Sequence, residues 1–210
     1  MFIRDFLGIT RASCLLRLKS IHFPHSFPTD VMHAILQNIT PMLFRLWNGT
    51  LLPELDQRGS PSDYVITEEL REIGRNMAGA RQQIPASLGH APRDIFKHYN
   101  GFKAAEWKAW LLLYGPSLLE QRLPEKYLAN FRDLRRIYFL STKQCVTATD
   151  VQNIHNLAIK FVRNFEDLYY RHEVTRLSVC RINVHSLLHL AKNIEACASA
   201  AYWWQFPMER

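Results

Sequence analysis

From Asp30 onward, apolar residues recur at intervals of three and four, one segment after another. That spacing lines up side chains on one face of an α-helix, and it constrains the fold more than any bulk property. Pro28, Thr29 and Asp30 give a strong helix start, because a Thr or Asp side chain can accept from the free amides of a first turn. Val31, Met32, Ile35, Leu36, Ile39, Met42, Leu43, Leu46 and Trp47 then keep helical register. Pro41 is expected to kink this helix and Asn48-Gly49 to end it. Thr67 reads as the cap of a second helix reaching about Gln83, and residues 84–101 as mostly loop. Lys103–Tyr114 is a third helix, with Trp107 and Trp110 on one side; Gly115-Pro116 is expected to reset it before a shorter helix from Ser117. Pro124 opens a segment running through Leu140. Thr149 is expected to cap a long helix from Asp150 to about His172, and a last clear helix spans Val184 to about Cys197. Only the first 28 residues break the pattern. Cys14 to Phe27 alternates apolar and basic positions, which predicts a strand or short extended segment. The expected class is mainly α, with no fixed repeat period.

Composition narrows the setting. With 48% hydrophobic residues, the 210-residue chain can bury one sizeable core. No window reaches 18 apolar residues, so no membrane contact is expected. Met1–Gly8 carries Arg4 and Asp5 and lacks a secretory signal, so the nucleus or cytoplasm is expected rather than secretion. The sequons at Asn38–Thr40 and Asn48–Thr50 then read as chance matches. Cysteines 14, 145, 180 and 197 show no zinc-knuckle or redox spacing and read as free thiols; zinc on Cys180 and His185 would need distant ligands. A net charge of +7 favours a polyanion such as DNA as partner, but the basic residues are dispersed. Arg132, Arg135 and Arg136 are the densest group, readable as a solvated helix face or as a phosphate contact.

A few residues could carry chemistry. Asp30 and His33, three apart at a helix start, can point into one site. Taken alone, the pair is explained more simply by a cap with a half-buried histidine. Glu209, after an aromatic-rich segment, could complete an acidic metal site or be an ordinary terminal charge. His185 and His189 share a helix face, and His172 could join them, but Ser-Leu-Leu between them lacks the glutamate of a zinc hydrolase. Trp107, Trp110, Trp203 and Trp204 could stack on bases, although Trp107 and Trp110 sit at core-like spacing. No phosphate loop, nucleophile elbow or Cys–His protease pattern is present.

Taken together, several segments resemble one family. Leu18–His33, with its Asp-Val-Met-His ending, and Ala34–Trp47 resemble the Asp-x-Met-His region of the Tnp2 transposases of CACTA-type DNA transposons, the fungal members above all. The likeness resumes at Ile84–Gly89, Trp107–Trp110 and Tyr114–Pro116, and is closest at Leu177–Cys180, Ile182–Leu190, Ile194–Cys197 and Trp204–Arg210.

This resemblance implies an RNase H-like core whose two aspartates and late glutamate hold Mg²⁺ or Mn²⁺ for strand cleavage and joining. It implies remnants of that α/β core at both ends of this chain: residues 1–48 as a partial core segment, 49–190 as a helical insertion, and 191–210 as the return segment. Asp30 and His33 match the Asp-x-x-His signature that follows the second aspartate, and Glu209 resembles the last acidic, metal-binding residue. Two metal ions need several converging carboxylates, and nothing around Asp5 resembles either aspartate region. The chain is therefore expected to be a transposase fragment or remnant, without tightly bound metal or independent catalysis. Apolar surface around Phe23, Phe27, Trp203 and Trp204 is expected to be exposed, favouring self-association or docking to a full-length transposase. The alternative is a non-enzymatic helical module that binds DNA or protein.

Overall fold

The computed structural model describes residues 13–22, 26–54, 62–80 and 92–208. These residues are mainly helical, and none of them lies in a strand. The strand expected over Cys14 to Phe27 is absent where the chain is described. Cys14–Arg17 forms a 3₁₀ turn, with the Ser13 hydroxyl accepting from the Leu15 amide. Its leucines face solvent, and no sheet is present among the described residues for the alternation to serve.

The organising element is the helical run through residues 31–47. It begins as a π-helix, Met32–Ile39, and continues as α1, Thr40–Trp47. Val31, Met32, Ala34, Ile35, Leu36, Ile39, Met42, Leu43, Phe44, Leu46 and Trp47 are all buried, so the run is covered on nearly every side. Asn48 closes it, and Gly49 takes the left-handed conformation (φ +66°) that favours glycine. Ile66 donates back to the Trp47 carbonyl at 2.8 Å and leads into α2, Thr67–Gly79. Thr67 is that helix's first residue, not its cap; its hydroxyl donates to the Asn48 carbonyl at 3.3 Å.

Next come α3, Ile95–His98, and a second run consisting of α4, Ala104–Ala109, a π-turn, Trp110–Tyr114, and α5, Gly115–Leu118. Arg93 clamps this region by two bonds to the Glu106 carboxylate, at 2.6 and 2.7 Å. Trp107 and Trp110 are core residues, edge-on to Phe44 at 5.9 and 6.0 Å, and are not placed to stack on bases.

Two long helices follow: α6, Glu125–Ser141, and α7, Ala148–Phe165. The short link between them makes them a packed hairpin. Trp47 meets Phe131 of α6 edge-on at 5.3 Å and donates its indole N–H to Tyr169 at 3.0 Å. Tyr169 lies in a π-turn, Glu166–Tyr170, which ends α7 as Arg171 and His172 turn left-handed. Thr147, not Thr149, caps α7. Its hydroxyl accepts from the Asp150 amide at 3.1 Å while Asp150 accepts from the Thr147 amide at 3.0 Å. Gln152, three residues after Thr149, instead donates to Asn156 at 3.0 Å. After a 3₁₀ turn, Val174–Val179, α8, Ile182–Ser186, and α9, Leu190–Cys197, pack on the π-helix and on α7 respectively.

Neither proline interrupts its helix. In both runs a π segment precedes the proline by the same offset: Thr40 donates to Ile35 and Gly115 to Trp110, each five residues back. A proline has no N–H for the carbonyl four residues back and crowds it, and a wider turn relieves the crowding. The Leu112 carbonyl, which Pro116 cannot serve, accepts instead from Arg135 Nε of α6 at 3.2 Å. The expected reset at Gly115-Pro116 is thus a continuous helix. A Cβ at Gly115 would lie 2.8 Å from the Trp110 carbonyl oxygen and 3.0 Å from the Phe131 ring.

Two outcomes follow. Gly115→Ala should lower stability by about 1–3 kcal/mol, read by calorimetry, because both neighbours sit in the core. Asp150 is held down to about 2 by the Lys143 ammonium and by the Thr147 amide and hydroxyl. A depressed carboxylate stabilises the fold above its unfolded pKa of about 3.9, and that contribution is lost as pH falls toward 2. In Lys143→Met the Asp150 carboxyl titration, followed by ¹³C NMR, should move upward toward about 4.

Candidate functional site

Asp30 stands at the head of the buried run, and its carboxylate is the meeting point of distant parts of the chain. Oδ1 accepts from the Met32 amide at 3.0 Å, satisfying one free donor of the first turn. Oδ2 contacts His33 Nδ1, the pairing that three-residue spacing on a helix allows. Oδ1 also accepts from the Gln205 backbone amide at 3.4 Å, across 175 residues of sequence. One residue earlier, the Thr29 amide donates to Asn193 Oδ1 of α9 at 3.0 Å. Asp30 is mostly covered, whereas His33 is 41% exposed, so the imidazole is the part of the pair that meets solvent.

Tyr138 of α6 completes the corner. Its hydroxyl is fully buried with no hydrogen-bond partner among the described residues. Burial, and to a lesser extent the negative charge of Asp30, push its ionisation well above the ordinary tyrosine range. Trp204 lies over the Tyr138 ring at 6.4 Å and stacks on Phe206 at 5.1 Å, with Lys108 Nζ above both rings. Trp203 and Trp204 therefore pack against the core, which corrects the expectation that they lie bare. Phe27 is exposed as expected, together with Leu15, Leu16 and Leu18. Phe23 and Glu209 lie outside the described residues.

The donor set of this corner does not match a clamp for a divalent ion. Both Asp30 oxygens already accept hydrogen bonds or contact His33, and no group of three or more His, Cys, Asp or Glu converges among the described residues. Hard ions such as Mg²⁺ need several oxygen ligands. The described residues are thus suited to capping a helix and holding a histidine.

The remaining candidates separate clearly. His185 and His189 are exposed, with their Nε2 atoms 3.3 Å apart, while His172 pairs with Asp167 at 3.2 Å. Arg132 forms ion pairs with Glu125 of its own helix and with Glu120 in the turn before it, Arg135 serves the Leu112 carbonyl, and Arg136 is exposed. All four cysteines are unpaired thiols. No described helix is long and apolar enough to cross a membrane. Sequence reasoning missed Gln205, Asn193 and Tyr138 as parts of the corner. Tyr138 had only the signal of a core position, and the other two act through contacts that no local pattern announces.

Comparison with known proteins gives no match to any family, curated protein or solved structure.

Asp30→Ala should cost about 0.5–2 kcal/mol in urea unfolding, the usual range for a lost cap. It should also speed hydrogen exchange at the Gln205 amide. Unchanged exchange there would mean that the contact does not hold the C-terminal segment.

Proposed function

We propose that this chain is the helical insertion, with its two flanks, of a Tnp2-like DNA transposase. The Asp30–Gln205 contact carries the reading. An insertion has to leave its parent fold and return to it at neighbouring points. Here the segment carrying the Asp-x-x-His signature and the segment that leads to Glu209 meet, and the Thr29–Asn193 bond joins them a second time. The helices between them share one core with the flanking run at residues 31–47 and with Ile194 of the return segment. In this reading residues 1–48 and 191–210 are flanks of an RNase H-like core, Asp30 and His33 stand beside its metal site, and Glu209 is its last acidic residue.

DNA is the substrate class this reading implies, and the net charge of +7 suits it. Leu15, Leu16, Leu18 and Phe27 form exposed apolar surface on the first flank, suited to packing on the remaining core or on a second copy. Strand cleavage and joining with Mg²⁺ or Mn²⁺ belong to the complete enzyme, whose two-metal chemistry needs more carboxylates than this corner provides.

The purified chain, incubated with transposon-end duplex and Mg²⁺ or Mn²⁺, is expected to leave the DNA uncut on denaturing gels. Robust cleavage abolished by Asp30→Ala would overturn the view that the chain alone is inactive. The genomic neighbourhood tests the parentage itself. An adjoining reading frame that carries both aspartate regions supports it, and unrelated sequence on both sides without transposon ends counts against it.

A further inference from the structure

His185 and His189 stand four residues apart across the junction of α8 and the 3₁₀ turn Leu187–His189. Both are exposed, and their Nε2 atoms approach to 3.3 Å with the rings 71° apart. Two imidazole nitrogens this close can share only one proton between them, and in water such a bond adds little stability. The separation has another reading. Zinc–nitrogen bonds are about 2.0–2.1 Å long, so two nitrogens on a tetrahedral ion lie about 3.3–3.4 Å apart, while a right-angled square-planar pair lies about 2.9 Å apart. The observed gap fits the tetrahedral ion.

We propose that His185 and His189 form a two-nitrogen chelate for an exchangeable zinc ion. Each ring binds through Nε2 as the neutral imidazole with its proton on Nδ1, and the metal takes the place of the shared proton. Two of the four positions go to the protein, so the other two stay open to water or to an external ligand. Exposure of both rings gives the ion a direct path in. The site lies beside the Asp30 corner: Asn193, one helical turn beyond His189, holds Thr29, and α8 packs on the π-helix that begins after Asp30. The chelate is independent of Asp30, Glu209 and the proposed transposase parentage.

The test is calorimetric titration of Zn²⁺ into the metal-stripped, untagged full chain, with histidine ring signals followed by NMR. Saturable binding is expected, with the His185 and His189 signals moving first. His185→Asn and His189→Asn should each weaken binding by at least about tenfold, a loss of roughly 1.4 kcal/mol, while His172→Asn leaves it unchanged. Both positions are exposed, so the melting temperature of either variant should stay at the wild-type value and certify the fold. Absence of saturable binding, or wild-type affinity in the two variants, overturns the proposal.

Discussion

Burial of the helical run at residues 31–47 is the constraint on which the rest of this structure depends. A helix covered on almost all sides needs neighbours in every direction, and the remaining elements supply them. Phe44 receives Trp107 and Trp110 from one run, while Trp47 receives Phe131 of α6 and bonds to Tyr169 beyond α7. The Trp47–Tyr169 bond matters because both side chains are fully buried, and an indole N–H left there without a partner costs about 1–3 kcal/mol. Three regions of the chain are thus locked to one helix by aromatic packing and one polar contact.

The two prolines show how such a core tolerates residues that ordinarily break helices. Each is preceded by turns widened to the five-residue bond, so the chain passes the missing donor without ending. At Pro116 the carbonyl left over is served by Arg135 from the facing helix. An arginine that reads as part of a basic cluster therefore has a structural task, and the same is true of Arg132 in its ion pairs.

The Asp30 corner joins this packing to the proposed function. A carboxylate that caps its own helix, holds His33 and accepts the Gln205 amide is a device for closing a long excursion of chain on itself. That closure is what the proposed reading as an inserted unit requires. It also explains why the carboxylate is poorly disposed to act alone as a metal ligand, since its oxygens are already engaged by groups that the fold places there.

Much of the helical layout was legible in the order of residues. Periodicity located the run from Val31 to Trp47, the helix after Pro124 and the core roles of Trp107 and Trp110, because burial on one face repeats every three to four residues. The spacing of Asp30 and His33 announced their contact, since three residues on a helix share a face. What sequence could not supply were decisions made by partners far along the chain. Whether proline broke a helix turned on wider turns and on an arginine from a facing helix, whereas the Thr147–Asp150 cap was a local pattern that the sequence did hold. Period-two alternation near Cys14 predicted a strand where Cys14–Arg17 forms a 3₁₀ turn, and no other described residue lies in a strand to pair with it. The meeting of Asp30 with Gln205, and the 3.3 Å gap between His185 and His189, were likewise decided only in three dimensions. Local spacing names the residues that share a helix face, while tertiary packing chooses which distant groups arrive there.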